Sequence, residues 1–91
     1  DMAKVYAVWF DNCEAYEDNY MNVISVHTTY EGAVHKITSI IKEAEQTNSL
    51  VQLDKIPSCF YNGVAWNLTL KDEDDWIFEE AYSIQEYELE A

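Results

Sequence analysis

Arginine is missing altogether from this 91-residue sequence, and lysine occurs only five times. Binding to phosphate backbones draws on Lys and Arg, so the composition argues against nucleic acid as a direct ligand. Glycine occurs twice and proline once, which leaves no glycine-rich loop to cradle phosphate and no flexible linker. The two cysteines, Cys13 and Cys59, have no metal-ligand spacing and could make at most one disulfide. Two free thiols in a reducing cytoplasm is the simplest reading. No apolar run approaches the roughly 18 residues of a membrane span, and no signal peptide is recognisable. Asp1 ahead of Met2 reads as a remnant of cloning, with Met2 the natural start.

What the chain has in excess is negative charge. Eighteen Asp and Glu against five Lys leave a net charge of −13. Charge on this scale strains the compact state by self-repulsion and draws in basic surfaces. A disordered acidic tail is nevertheless excluded, because 48% of the residues are apolar and three Trp, seven Tyr and three Phe are among them. The length fits one domain spanning residues 1–91.

Periodicity supplies the elements. From Ala3 to Phe10 both faces of a strand are apolar, with Val5, Ala7 and Trp9 on one and Tyr6, Val8 and Phe10 on the other. A polar loop leads to a second strand, about Tyr20 to His27, expected to pair antiparallel with the first. Thr28 followed by Glu31 reads as a capping box. Tyr30, Ala33, Val34, Ile37, Ile40, Ile41 and Ala44 then form one stripe at helical spacing, ending near Gln46. Leu50–Ile56 reads as a short strand stopped by Pro57, and Asn62-Gly63 as a type I′ hairpin turn feeding a strand with Trp66, Leu68 and Leu70. Trp76–Leu89 reads as a strand whose parity slips, reconciled by a bulge near Gln85; a helix over Trp76–Ile84 is the alternative. The expected fold is α+β: an antiparallel sheet of four to five strands with one long amphipathic helix packed on one face. The other face is then left with aromatic residues to be met by loops, a second subunit or a partner.

Catalytic chemistry finds no support. His27 and His35 lie in different elements and have no partner in metal-ligand spacing. There is no nucleophile elbow and no set of residues for a triad. Asp72-Glu73-Asp74-Asp75 opens like a calcium loop, but Trp76, Ile77 and Ser83 stand where the ligand of position five, the glycine of position six and the closing glutamate of position twelve belong. No enzyme activity, metal or cofactor is expected.

The carboxylates themselves are the candidate site. One cluster is Asp11, Glu14, Glu17 and Asp18; the other is the C-terminal segment with Asp72, Glu73, Asp74, Asp75, Glu79, Glu80, Glu86, Glu88 and Glu90. On a strand, Glu86, Glu88 and Glu90 project from one face about 6–7 Å apart, a spacing that imitates a run of phosphates. Tyr16, Trp76, Tyr82 and Tyr87 are interleaved with these acids, and aromatics supply contact area in binding faces. A merely solvated acidic face is the competing reading.

The run Val5-Tyr6-Ala7-Val8-Trp9-Phe10-Asp11-Asn12, then Glu14 and Tyr16-Glu17-Asp18, then Val26 and Thr28 opening a helix, resembles small acidic bacteriophage-encoded proteins. The acidic, tyrosine-containing stretch Tyr82–Glu90 resembles the way such proteins finish. The resemblance implies a phage origin, a place in the cytoplasm of a bacterial host, and action on a host protein. Small acidic phage proteins include DNA mimics that block restriction enzymes, CRISPR effectors or nucleoid proteins. The expected function is therefore inhibition of a basic host protein, a nucleic-acid-binding protein or defence enzyme, through a DNA-mimicking carboxylate surface. The alternative is an interaction module that binds a host enzyme, or a second copy of itself, through the exposed aromatic face of the sheet. No membrane partner is expected.

Overall fold

A computed structural model describes residues 3–58 and 63–90. The elements follow the order β1 (Ala3–Asp11), β2 (Met21–His27), α1 (Tyr30–Thr47), β3 (Ser49–Ser58), β4 (Gly63–Lys71) and β5 (Ile77–Leu89), with a short 3₁₀ turn at Tyr16–Asp18. The five strands form one antiparallel sheet in the order β2-β1-β5-β4-β3. The last strand thus inserts between the first and the fourth and joins the two halves of the chain. The fold is the α+β class that the sequence pattern predicts.

The helix lies on the face that carries Tyr6, Val8 and Phe10. Its stripe places Ala33 and Ile37, both buried, against Val8, Leu68, Leu70, Tyr82 and Ile84. Val34, Ile40, Ile41 and Ala44 pack around this cluster. The registers explain why these residues meet: Val8 pairs with Ile84, Phe10 and Trp66 both pair with Tyr82, and Leu70 pairs with Phe78. Tyr82 is buried and donates its hydroxyl to Glu80 at 3.0 Å. Burial, then the Glu80 carboxylate, push that hydroxyl's pKa well above its ordinary value. At the margin of the core, the Lys55 ammonium lies 5.7 Å from the centre of the Trp66 ring.

Four local expectations are corrected. The helix is capped by Thr29, whose Oγ1 accepts from the Gly32 N–H at 3.0 Å, one residue later than the Thr28–Glu31 box. Two adjacent threonines offer the same chemistry, and the tertiary register decides between them. Pro57 does not stop β3: it pairs with Val64 inside the strand. β3 is a sheet edge, where an N–H facing solvent is dispensable. The turn expected at Asn62-Gly63 gives up Gly63, which already opens β4, paired with Ser58; its other residue falls in 59–62, which lie outside the described residues.

The fourth correction concerns β5, which is a strand throughout, with neither a helix over 76–84 nor a bulge at Gln85. Tyr82, Ile84, Glu86 and Glu88 share one face without interruption because the lower end of that face is polar. Glu86 accepts from the Tyr6 hydroxyl at 3.1 Å and pairs with Lys4 at 3.2 Å. The register shifts fall instead in β2, opposite Val8 and Trp9, and in β3 between Leu50 and Gln52.

Four substitutions at three positions test this arrangement by thermal or denaturant unfolding. Ile37→Ala should cost about 2–5 kcal/mol by leaving a cavity under the helix, and Ile37→Asp should cost more by burying an unpaired charge. Thr29→Ala should cost about 1 kcal/mol as a lost cap, whereas Thr28→Ala should change little.

Candidate functional site

The strand order sorts the acids between the two ends of the sheet. β1 ends at Asp11, level with Ala81 and Asn67, and Lys71 pairs with both Ile77 and Ser49. The β1–β2 loop, the β4–β5 turn and the junction from α1 to β3 therefore all emerge at the same end. Asp11, Glu14, Glu17 and Asp18 lie at that end, and so do Asp72, Glu73, Asp74 and Asp75, with Glu79 and Glu80 at levels between the two groups. Beyond the level of Asp11, the β4–β5 hairpin continues by four residues of β5, roughly 13 Å. Glu86, Glu88 and Glu90 are at the opposite end. The C-terminal cluster of the sequence is thus divided in space, while its first part joins the loop cluster.

Short polar side chains organise each acidic connection, two in the β1–β2 loop and one in the β4–β5 turn. Asp11 Oδ1 accepts from the Cys13 N–H at 2.8 Å and from Asn19 Nδ2 at 3.1 Å. Asn12 Oδ1 accepts from the Glu14 and Tyr20 N–H groups, and its amide donates to the Asp18 carbonyl at 2.9 Å. In the β4–β5 turn, Asp72 Oδ1 accepts from the Asp74 and Trp76 N–H groups at 2.9 and 3.0 Å. Asp11 and Asp72 are consequently structural acids, which leaves Glu14, Glu17, Asp18, Glu73 and Asp74 exposed to meet a partner. Asp75 pairs with Lys71 at 3.5 Å. Among the described residues the other ion pair is Lys4–Glu86, so each end has one paired acid, and the loop end keeps more exposed carboxylates outside any ion pair.

Aromatic side chains stand among the free carboxylates. Tyr16 is 96% exposed at the loop tip and Trp76 is 71% exposed beside the turn. Tyr16, Cys13 and Asp75 adopt left-handed φ values of 55°, 59° and 63°. That conformation is uncommon for residues with a side chain, and more so for a bulky one such as Tyr16. Tyr82 and Tyr87, the other interleaved aromatics, take no part: one is in the core and the other on the opposite face of the sheet. Glu45 joins the acidic end through a groove of about 340 Å³ that it lines with Asn48, Lys71, Asp72 and Glu73. Sequence reasoning missed Glu45 because it belongs to no cluster along the chain. Asn12 it missed as an organiser, although an Asx residue directly after a strand is a signal for such a turn.

Among the described residues no group of three or more His, Cys, Asp or Glu side chains could hold a metal ion. His27 bonds through Nε2 with Ser25 Oγ at 2.8 Å, and His35 is an exposed helical residue. No helix among them is long and apolar enough to cross a membrane.

Cys13 reports the local field. Its Sγ approaches Asn67 Oδ1 at 3.8 Å, and its thiol pKa is pushed up to about 11, first by burial and then by Asp11, Glu79, Glu80 and Glu14. At pH 8 the thiolate should be roughly a hundredfold scarcer than in an ordinary cysteine, so alkylation should be correspondingly slow. High salt should restore part of the rate by screening the carboxylates, and unfolding should restore all of it. An alkylation rate that is ordinary in the folded protein would remove the field from this loop.

Compared with protein-family models, curated protein sequences and solved structures, the chain matches none.

Proposed function

We propose that the acidic end binds a basic nucleic-acid-binding surface of another protein and occupies it in place of nucleic acid. The supporting observation is the convergence of the β1–β2 loop and the β4–β5 turn, with their unpaired carboxylates and with Tyr16 and Trp76 exposed among them. Unpaired acids at one pole of a −13 protein steer a cationic surface toward that pole over distances beyond contact. On contact the carboxylates accept from Lys and Arg side chains, while the two aromatics supply the apolar contact that charge alone lacks. The chain needs no chemistry of its own for this, since exclusion of the nucleic acid is the activity. Its setting is that of a phage-type inhibitor of a host nucleic-acid-binding protein or defence enzyme in the bacterial cytoplasm. Relative to the row Glu86, Glu88 and Glu90, the loop end is the stronger attractor, because Glu14, Glu17, Asp18, Glu73 and Asp74 stay exposed there beside the Lys71–Asp75 pair, whereas Lys4 sits on one of only three acids at the far end.

Immobilised protein should retain basic proteins from a bacterial lysate, DNA should compete for them, and the protein itself should not bind DNA. The combined substitutions Glu14→Gln, Glu17→Gln, Glu73→Gln and Asp74→Asn remove four charges and spare the structural acids. They should weaken binding at least about tenfold, since exposed ion pairs contribute up to about 1 kcal/mol each. Glu88→Gln with Glu90→Gln should have little effect. Binding that survives the fourfold change with little salt dependence would make the acids solubilising only.

A further inference from the structure

The face of the sheet turned away from the helix carries no charge over its lower rows. One row crosses all five strands as Val23, Trp9, Ser83, Ala65 and Ile56, and the next holds Val26, Ala7 and Gln85. Below them Val5 faces Tyr87 and Ala3 faces Leu89. Charged residues begin one row higher, at Asp11 and Asp54. In a chain with 18 acids and five lysines this is a marked exclusion. The patch also has relief. Ala7, Ser83 and Ala65 form a floor that is buried although no element among the described residues covers it, while Val26, Tyr87 and Leu89 stand 59%, 42% and 51% exposed around it.

We propose that a second copy of this chain covers the patch, face to face, in an isologous dimer with two-fold symmetry. A basic partner has nothing to prefer here, because the patch offers it no carboxylate. A second copy brings an equally uncharged surface, and the standing side chains of one copy meet the small-residue floor of the other, as an isologous interface requires. The footprint is roughly 20 Å by 20 Å, so a pair buries on the order of 1,000 Å² in all once side-chain relief is included. That is the lower bound for a specific interface and corresponds to a concentration-dependent dimer. A two-fold axis across the strands sends the two acidic ends to opposite poles of the dimer, each copy having a long dimension of 50 Å. That separation is several times the Debye length of about 8 Å at physiological salt. The residual repulsion between two −13 copies gives the dimer a salt dependence opposite to that of the basic-partner complex, on which this inference does not rest.

Sedimentation velocity on the full chain tests it. The 10.6 kDa chain should be mostly monomeric near roughly 10 µM and mostly dimeric near roughly 1 mM. The dimer fraction should rise between about 50 mM and about 500 mM salt. Tyr87→Glu and Val26→Lys add charges of opposite sign to exposed positions, so their circular dichroism should match the parent, and each should weaken dimerisation at least tenfold. Loss with both signs identifies the patch and not the net charge, and Tyr87→Phe should keep the dimer. A chain that is monomeric throughout overturns the proposal, as does a dimer indifferent to both variants. A monomer that loses its basic partner on Tyr87→Glu also overturns it, because the face then belongs to that partner.

Discussion

One helix has to serve a five-stranded sheet, and most of the structure follows from that constraint. A sheet can bury one face against a helix and leave the other in water, but only an antiparallel sheet does so readily, and this one is antiparallel throughout. The apolar stripe of α1 selects which face becomes the core, and the Ile37 contact with Val8, Leu68 and Ile84 fixes it. β5 must then lie in the middle, because its Tyr82 and Ile84 complete the surface on which the helix rests. Most charges are driven to the rim by the same logic, and Glu80, level with Leu68 on the helix-covered face, accepts from the Tyr82 hydroxyl.

The distribution of acids is thus a product of topology. The loop acids and the turn acids are about 60 residues apart along the chain. They meet because β5 runs antiparallel to both β1 and β4, which brings the end of β1 and the β4–β5 turn to the same pole. The same strand carries Glu86 to the other pole, where Lys4 and Tyr6 were already waiting; hydrogen bonds from Lys4 and then Tyr6 hold its carboxyl below the usual range. A field concentrated at one end and an uncharged face on the side divide the surface into regions suited to different contacts.

Much of this was legible from residue order alone. The helix stripe, the two-faced β1, and Trp66, Leu68 and Leu70 of β4 are local patterns, and the structure keeps them. Pro57 and the parity of β5 were misread because both depend on non-local facts. Pro57 is tolerated since β3 is an edge of the sheet, and Glu86 fits its face since Tyr6, opposite it, and Lys4, on the diagonal, both distant in sequence, bond to its carboxylate. For the candidate site, the acids were legible as residues and not as a constellation. Nothing local says that Glu14 and Asp74 share a pole, that Glu45 joins them, or that Asp11 and Asp72 are occupied in holding their own turns.

The central claim is this separation of an acidic pole from an uncharged sheet face. Nuclear magnetic resonance relaxation by a cationic and an anionic paramagnetic co-solute, compared amide by amide, measures the near-surface potential directly. The potential should be most negative over residues 12–20 and 72–76, weaker at Glu86 beside Lys4, and weakest over Val26, Ser83 and Tyr87. A potential spread evenly over the surface, or one most negative along the lower half of β5, would contradict the account.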